Sequence, residues 1–134
     1  MTKVLLLLAM LYAHIMDDYR HQGILASMKQ RSWWKENAPD EMYKRDYLMA
    51  LYEHAFSWAV AVHIPVVAYW IIRGYATNWV TFLILFVTMW LVHASVDNEK
   101  ANRHTINLVQ DQAIHIIQIV VAWICYAFLY RGMV

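Results

Sequence analysis

Apolar runs broken by short polar stretches organise this chain. Three of them, at about 47–72, 78–97 and 111–130, approach the ~20 residues that a helix needs to cross a ~30 Å hydrocarbon core. A fourth run begins at Val4. It reaches spanning length only if the helix continues past His14 and Asp18 to about residue 28, with its polar positions turned towards protein rather than lipid. The start imitates a secretory signal, but no small-x-small cleavage site follows Tyr12, so the pattern predicts a retained helix. The expected fold is therefore all-α: one membrane domain over residues 1–134, a bundle of four transmembrane helices at about 3–28, 47–72, 78–97 and 111–130. A polar stretch at about 29–46, broken by Pro39, is expected as a loop or interfacial segment, with Trp33 and Trp34 as aromatics at the membrane surface.

Composition sharpens this picture. The chain is 61% apolar and 16% charged, well away from the roughly 45–50% and 25% of soluble domains. A net charge of +1 removes the basic surface that a nucleic-acid partner would need. With four spans, the two polar loops share one side of the membrane, and of the 11 lysines and arginines only Lys3, Arg73 and Arg131 fall on the other. The positive-inside rule then places the polar loops in the cytoplasm and both termini outside. The acidic residues also gather at the loop side, so the chemistry is expected at the cytoplasmic leaflet.

Three helix ends repeat one spacing: His14-x-x-x-Asp18, His93-x-x-x-Asp97 and Asp111-x-x-x-His115. Positions i and i+4 are stacked on one helix face, so each pair offers an imidazole and a carboxylate to one point. A single such pair is more often a helical hydrogen bond than a metal site. Alternating helix directions, however, bring all three to one end, together with His54 at the start of the second span. Buried aspartates that converge repel one another and are costly in a membrane, and a bound divalent ion offsets both terms. Mixed His/Asp ligation suits Zn²⁺ first, with Mn²⁺ or Fe²⁺ as alternatives. The expected ligands are His14, Asp18, His93, Asp97, Asp111 and His115; Asp17, His54 and Lys100 are the expected catalytic groups, as base, ligand or donor, and anion clamp. Gln22 continues the polar face of the first helix and is read either as a solvated amide or as a group that orients a ligand, while His21, His63 and His104 are read as surface or packing residues.

The set His14-x3-Asp18-Tyr19-x2-Gln22, His93-x3-Asp97-x2-Lys100-Ala101 and Asp111-Gln112-x2-His115 resembles a family of uncharacterised bacterial and phage integral membrane proteins. That family is in turn distantly similar to membrane-bound metal-dependent hydrolases. The resemblance covers nearly the whole chain and implies a four-helix membrane fold in the bacterial inner membrane, with a hydrolytic metal site at the matching His and Asp positions.

The expected function is accordingly a membrane-embedded, metal-dependent hydrolase acting on a lipid-linked or phosphate-containing amphiphile, with the bilayer and a possible homo-oligomer as partners. Ion, proton or metal transport is an alternative, although the polar residues stop short of the outer half. Bis-histidine haem binding or a structural assembly role would leave the recurring aspartates unexplained.

Overall fold

The computed structural model describes residues 2–74 and 79–129, and among these every regular element is helical. Helix α1 (Lys3–Ile15) is capped by the Thr2 hydroxyl and runs on as a π-turn, Met16–His21. Two short helices follow, α2 (Leu25–Met28) and α3 (Arg31–Asn37), and then a 3₁₀ turn, Glu41–Tyr43. Helix α4 (Tyr47–Arg73) is the longest, and left-handed Gly74 ends it by turning its N–H back to Ile71 O. Helix α5 (Trp79–Asn98) continues as a second π-turn, Glu99–Arg103. Helix α6 (Leu108–Ile124) starts from a capping box in which Asn107 and Gln110 satisfy each other's backbone N–H groups. A third π-turn, Cys125–Leu129, extends α6. Positions 75–78 and 130, where the pattern places one end each of the third and fourth spans, lie outside the described residues.

Among the described residues, three helices are long and apolar enough to cross a membrane: Glu41–Arg73, Trp79–Arg103 and Leu108–Ala127. They are apolar around most of their circumference, and residues such as Ile64, Ile71, Val80, Leu83, Val109 and Ile117 stand exposed. The expected first helix over 3–28 is instead interrupted: α1 has 13 residues, and the chain turns at Gly23 with φ 52° before α2 begins. Glycine enters that left-handed region without the Cβ penalty, so the break is written into the sequence at this position.

The long helices pack in a ring, α1 on α4, α4 on α5, α5 on α6, and α6 back on α1. Trp70 meets Phe82 while His54 meets His93, so α4 and α5 run in opposite directions. Lys3 O accepts from Trp123 Nε1 while His14 packs on His115, so α1 and α6 do too. Leu6, Met10, Trp58, Val62, Met89, Ile119 and Tyr126 form one apolar core through the middle of the ring. Alanines 55, 59, 94 and 122 are also buried, and small residues of this kind let helix backbones approach. Below that core, at the end where α1 and α5 finish and α4 and α6 begin, the buried residues become polar.

Candidate metal centre

Four helices each deliver polar side chains to that end. Regular α-helix in α5 keeps His93 and Asp97 one turn apart on one face, with Nε2 3.8 Å from Oδ1. The first turns of α6 do the same for Asp111 and His115, with Oδ1 and Nε2 3.4 Å apart. Helix α4 contributes His54 from its second turn, and the first π-turn contributes Asp18. All of these imidazoles are at most 1% exposed, as are Asp97 and Asp111.

His54 Nε2 is the hub. It lies 3.3 Å from Asp18 Oδ1, 3.4 Å from Asp97 Oδ2 and 3.3 Å from His93 Nε2. One ring nitrogen carries at most one hydrogen, so three neighbours at nearly one distance are not three hydrogen bonds. The separations also exceed the ~2.7–2.9 Å of charge-assisted bonds. Roughly 3.3 Å is the spacing of neighbouring ligands on an ion with bonds of ~2.0–2.1 Å; of the three neighbours, Asp18 and His93 share a ligand group with His54, and Asp97 belongs to the adjoining one.

A second convergence surrounds His115. Its Nδ1 faces Gln118 Oε1 at 3.0 Å, and Gln118 in turn donates to Met89 O. The amide oxygen therefore accepts from Nδ1–H, and Nε2 points at Asp97 Oδ1 (3.2 Å) and Asp111 Oδ1 (3.4 Å). A lone pair aimed at two carboxylate oxygens is repulsive unless positive charge, a second proton or a cation, lies between them. Asp111 Oδ1 and His93 Nδ1 are buried with no hydrogen-bond partner among the described residues. Atoms able to ligate one ion thus fall into two overlapping groups, Asp18–His54–His93 and His93–Asp97–His115, each within 4.8 Å. Buried His/Asp clusters that can hold a metal ion are present, and the donor set, imidazole plus carboxylate, fits a first-row divalent ion.

The surrounding groups orient this set. Gln22 donates to Asp18 Oδ1 at 2.6 Å, and Gln112 donates to Asp18 Oδ2 (2.7 Å) and Asp111 Oδ2 (3.0 Å), tying α1 to α6. Lys29 reaches Asp97 Oδ2 at 2.5 Å and Lys100 reaches Asp111 Oδ2 at 2.6 Å. Lys29 is only 5% exposed, so its ion pair with Asp97 is a buried one.

Not every expected ligand arrives. His14 is buried here, but its Nδ1 accepts from Trp58 Nε1–H (2.8 Å) and its Nε2 faces Gln112 Oε1 (3.1 Å). Both nitrogens are thereby engaged, and His14 lies in neither ligand group. The reason is that Trp58 and Gln112 take both ring nitrogens. Asp18 meets the same Gln112 amide and reaches His54 on α4 with its other oxygen. Asp17 and the expected ligand Asp111 also lie outside both groups, Asp17 accepting from Ser57 Oγ at 2.8 Å and Asp111 standing beside His115. His63 behaves as a packing residue, and His104 lies at the rim in a left-handed conformation. The roles of Lys29 and Trp58, and the bridge that Gln112 of the fourth-helix motif makes between Asp18 and Asp111, emerge only from the structure; the signal available for Trp58 is its i+4 spacing from His54.

Comparison with protein-family models, with curated proteins and with solved structures finds no match to this chain.

Proposed function

We propose that the chain is a four-span membrane protein holding a divalent cation at the junction of α1, α4, α5 and α6, and that it is a metal-dependent hydrolase of an amphiphilic phosphate or acyl ester. In this reading α1 with its π-turn is the remaining span, the His/Asp end faces the cytoplasm, and both termini lie outside. The observation that carries the metal is the position of His54 Nε2, equidistant from Asp18, Asp97 and His93.

Asp18, His54, His93, Asp97 and His115 supply the donors, with Gln22, Gln112 and Gln118 fixing their orientation. An ion held by these residues would supply Lewis acidity for the scissile group and for water, whose pKa a bound divalent ion can bring to about 7. Asp111 Oδ1, which has no donor of its own among the described residues, takes a proton from the attacking water. The water oxygen bonds to phosphorus or acyl carbon, the ester oxygen departs, and the proton on Asp111 passes to it as an alcohol forms. Lys100, on the other oxygen of Asp111, moderates the charge as the proton comes and goes. The apolar faces around the site suit a substrate whose chain stays in the bilayer.

Elemental analysis of the protein purified in detergent tests the premise. One or two equivalents of zinc, manganese or iron per chain are expected, falling to background in His54→Ala. A wild-type protein that is folded, metal-free and unable to take up added Zn²⁺ or Mn²⁺ removes the reading. The orientation is checked separately by a reporter fused to the C-terminus, expected to be active outside the cytoplasm.

A further inference from the structure

Beside the centre lies a pocket of about 320 Å³, walled by the first π-turn, α2, the second π-turn and the start of α6. That volume is at the small end for ligand sites, enough for a headgroup but not for a chain. Its polar lining is mostly made of donors: the ammonium groups of Lys29 and Lys100 and the amides of Gln22, Gln30 and Gln112. The carboxylate in the wall, Asp18, is already covered by Gln22 and Gln112. Exposed Tyr19 and Leu108 form an apolar rim.

Each ammonium has three N–H groups. Among the described residues each makes one hydrogen bond, Lys29 to Asp97 Oδ2 and Lys100 to Asp111 Oδ2. The oxygen held by Lys29 is the one that lies 3.4 Å from His54 Nε2. Two positive charges drawing on one carboxylate oxygen repel each other, so Lys29 and a cation at the His54 hub would compete for its charge. Whatever takes that oxygen frees a buried ammonium, whose uncompensated charge is costly unless an anion meets it.

We infer that this pocket binds a tetrahedral oxyanion, the phosphate-type group of the substrate, through Lys29 and Lys100, and that anion binding is coupled to cation loading through Asp97 Oδ2. The inference rests on the metal-centre reading above and adds to it an identity for the substrate's anionic group and an order of events: cation first, then oxyanion. A phosphate ester in a lipid headgroup and a free phosphate share this chemistry.

The test is calorimetric titration of full-length protein in phosphatidylcholine nanodiscs with Mn²⁺, without and with inorganic phosphate, and again in nanodiscs containing phosphatidic acid. Phosphate or phosphatidic acid should raise the Mn²⁺ affinity by about tenfold, within the usual range of coupling between sites. A response to phosphatidic acid alone identifies the lipid headgroup as the source, and a response to inorganic phosphate the free anion. Lys29→Gln should bind Mn²⁺ at least as tightly as wild type while losing that response, and Lys100→Gln, at a more exposed position, should lose part of it. Mn²⁺ binding by wild type with no response to either anion overturns the coupling and leaves the metal centre standing. No Mn²⁺ binding at all overturns both. Mn²⁺ affinity lost in a folded Lys29→Gln shows the lysine to be a support for the ligands and also overturns the competition.

Discussion

Two buried histidines on α4, nine positions apart, live under different rules. His63 sits in the apolar half of the bundle, and each of its nitrogens has one close partner, Ala59 O at 2.7 Å and Tyr126 Oη at 2.8 Å. Phe82 and Phe86 pack on its ring. It is satisfied, and nothing about it asks for a ligand. His54, by contrast, points one nitrogen at three polar atoms, all at 3.3–3.4 Å and none at hydrogen-bond optimum. Burial is nearly identical, 2% and 1% exposed. What separates a packing histidine from a candidate ligand is the number and spacing of its neighbours, not its depth.

The comparison breaks most severely at Asp97. Asp97→Asn removes the carboxylate shared by His54, His93 and His115 and strands Lys29. Metal content should fall to background, and the buried unpaired ammonium should cost about 3–5 kcal/mol in chemical denaturation. Substituting the two histidines in parallel gives the cleanest contrast. His54→Gln should weaken metal binding by at least about a hundredfold in titrations, since even supporting residues are worth ten- to hundredfold. His63→Phe should leave metal content unchanged and lower stability by about 1–3 kcal/mol, the cost of leaving the Tyr126 hydroxyl buried without its partner. A smaller effect is expected from Gln118→Leu, which removes the acceptor for His115 Nδ1–H: about a tenfold loss of metal affinity with the fold intact, read by titration and circular dichroism. The least is expected from Arg103→Ala. Its partner pairing with Glu99 is largely solvent-exposed, so the thermal midpoint should move by what a change of less than about 1 kcal/mol allows.

The sequence was most readable where the backbone is regular. His93–Asp97 and Asp111–His115 keep their i, i+4 geometry because α5 and α6 are true α-helices at those positions. The three long apolar helices were legible for the same reason, since length and composition decide them. His14–Asp18 carries the same letters at the same spacing, but long-range neighbours divide their roles: Trp58 and Gln112 take both nitrogens of His14, while Asp18 reaches His54 and is a candidate ligand. Spacing puts two side chains on one face without saying which neighbours each will meet. Lys29 was hidden for a different reason. It belongs to a stretch that reads as polar loop, and it becomes buried only because the chain reverses at Gly23 and α2 packs on α4. Gln112 likewise bridges two carboxylates that are far apart in the chain, a long-range relation no local pattern encodes.

Gln112 stands where the first helix meets α6, with its oxygen facing the His14 imidazole and its nitrogen donating to the carboxylates of Asp18 and Asp111. A primary amide carries an acceptor and two donors on one flat group, which neither a carboxylate nor an ammonium offers. Turned end for end, it would set oxygen against two anions, so a single torsion fixes how two acidic groups face the rest of the cluster.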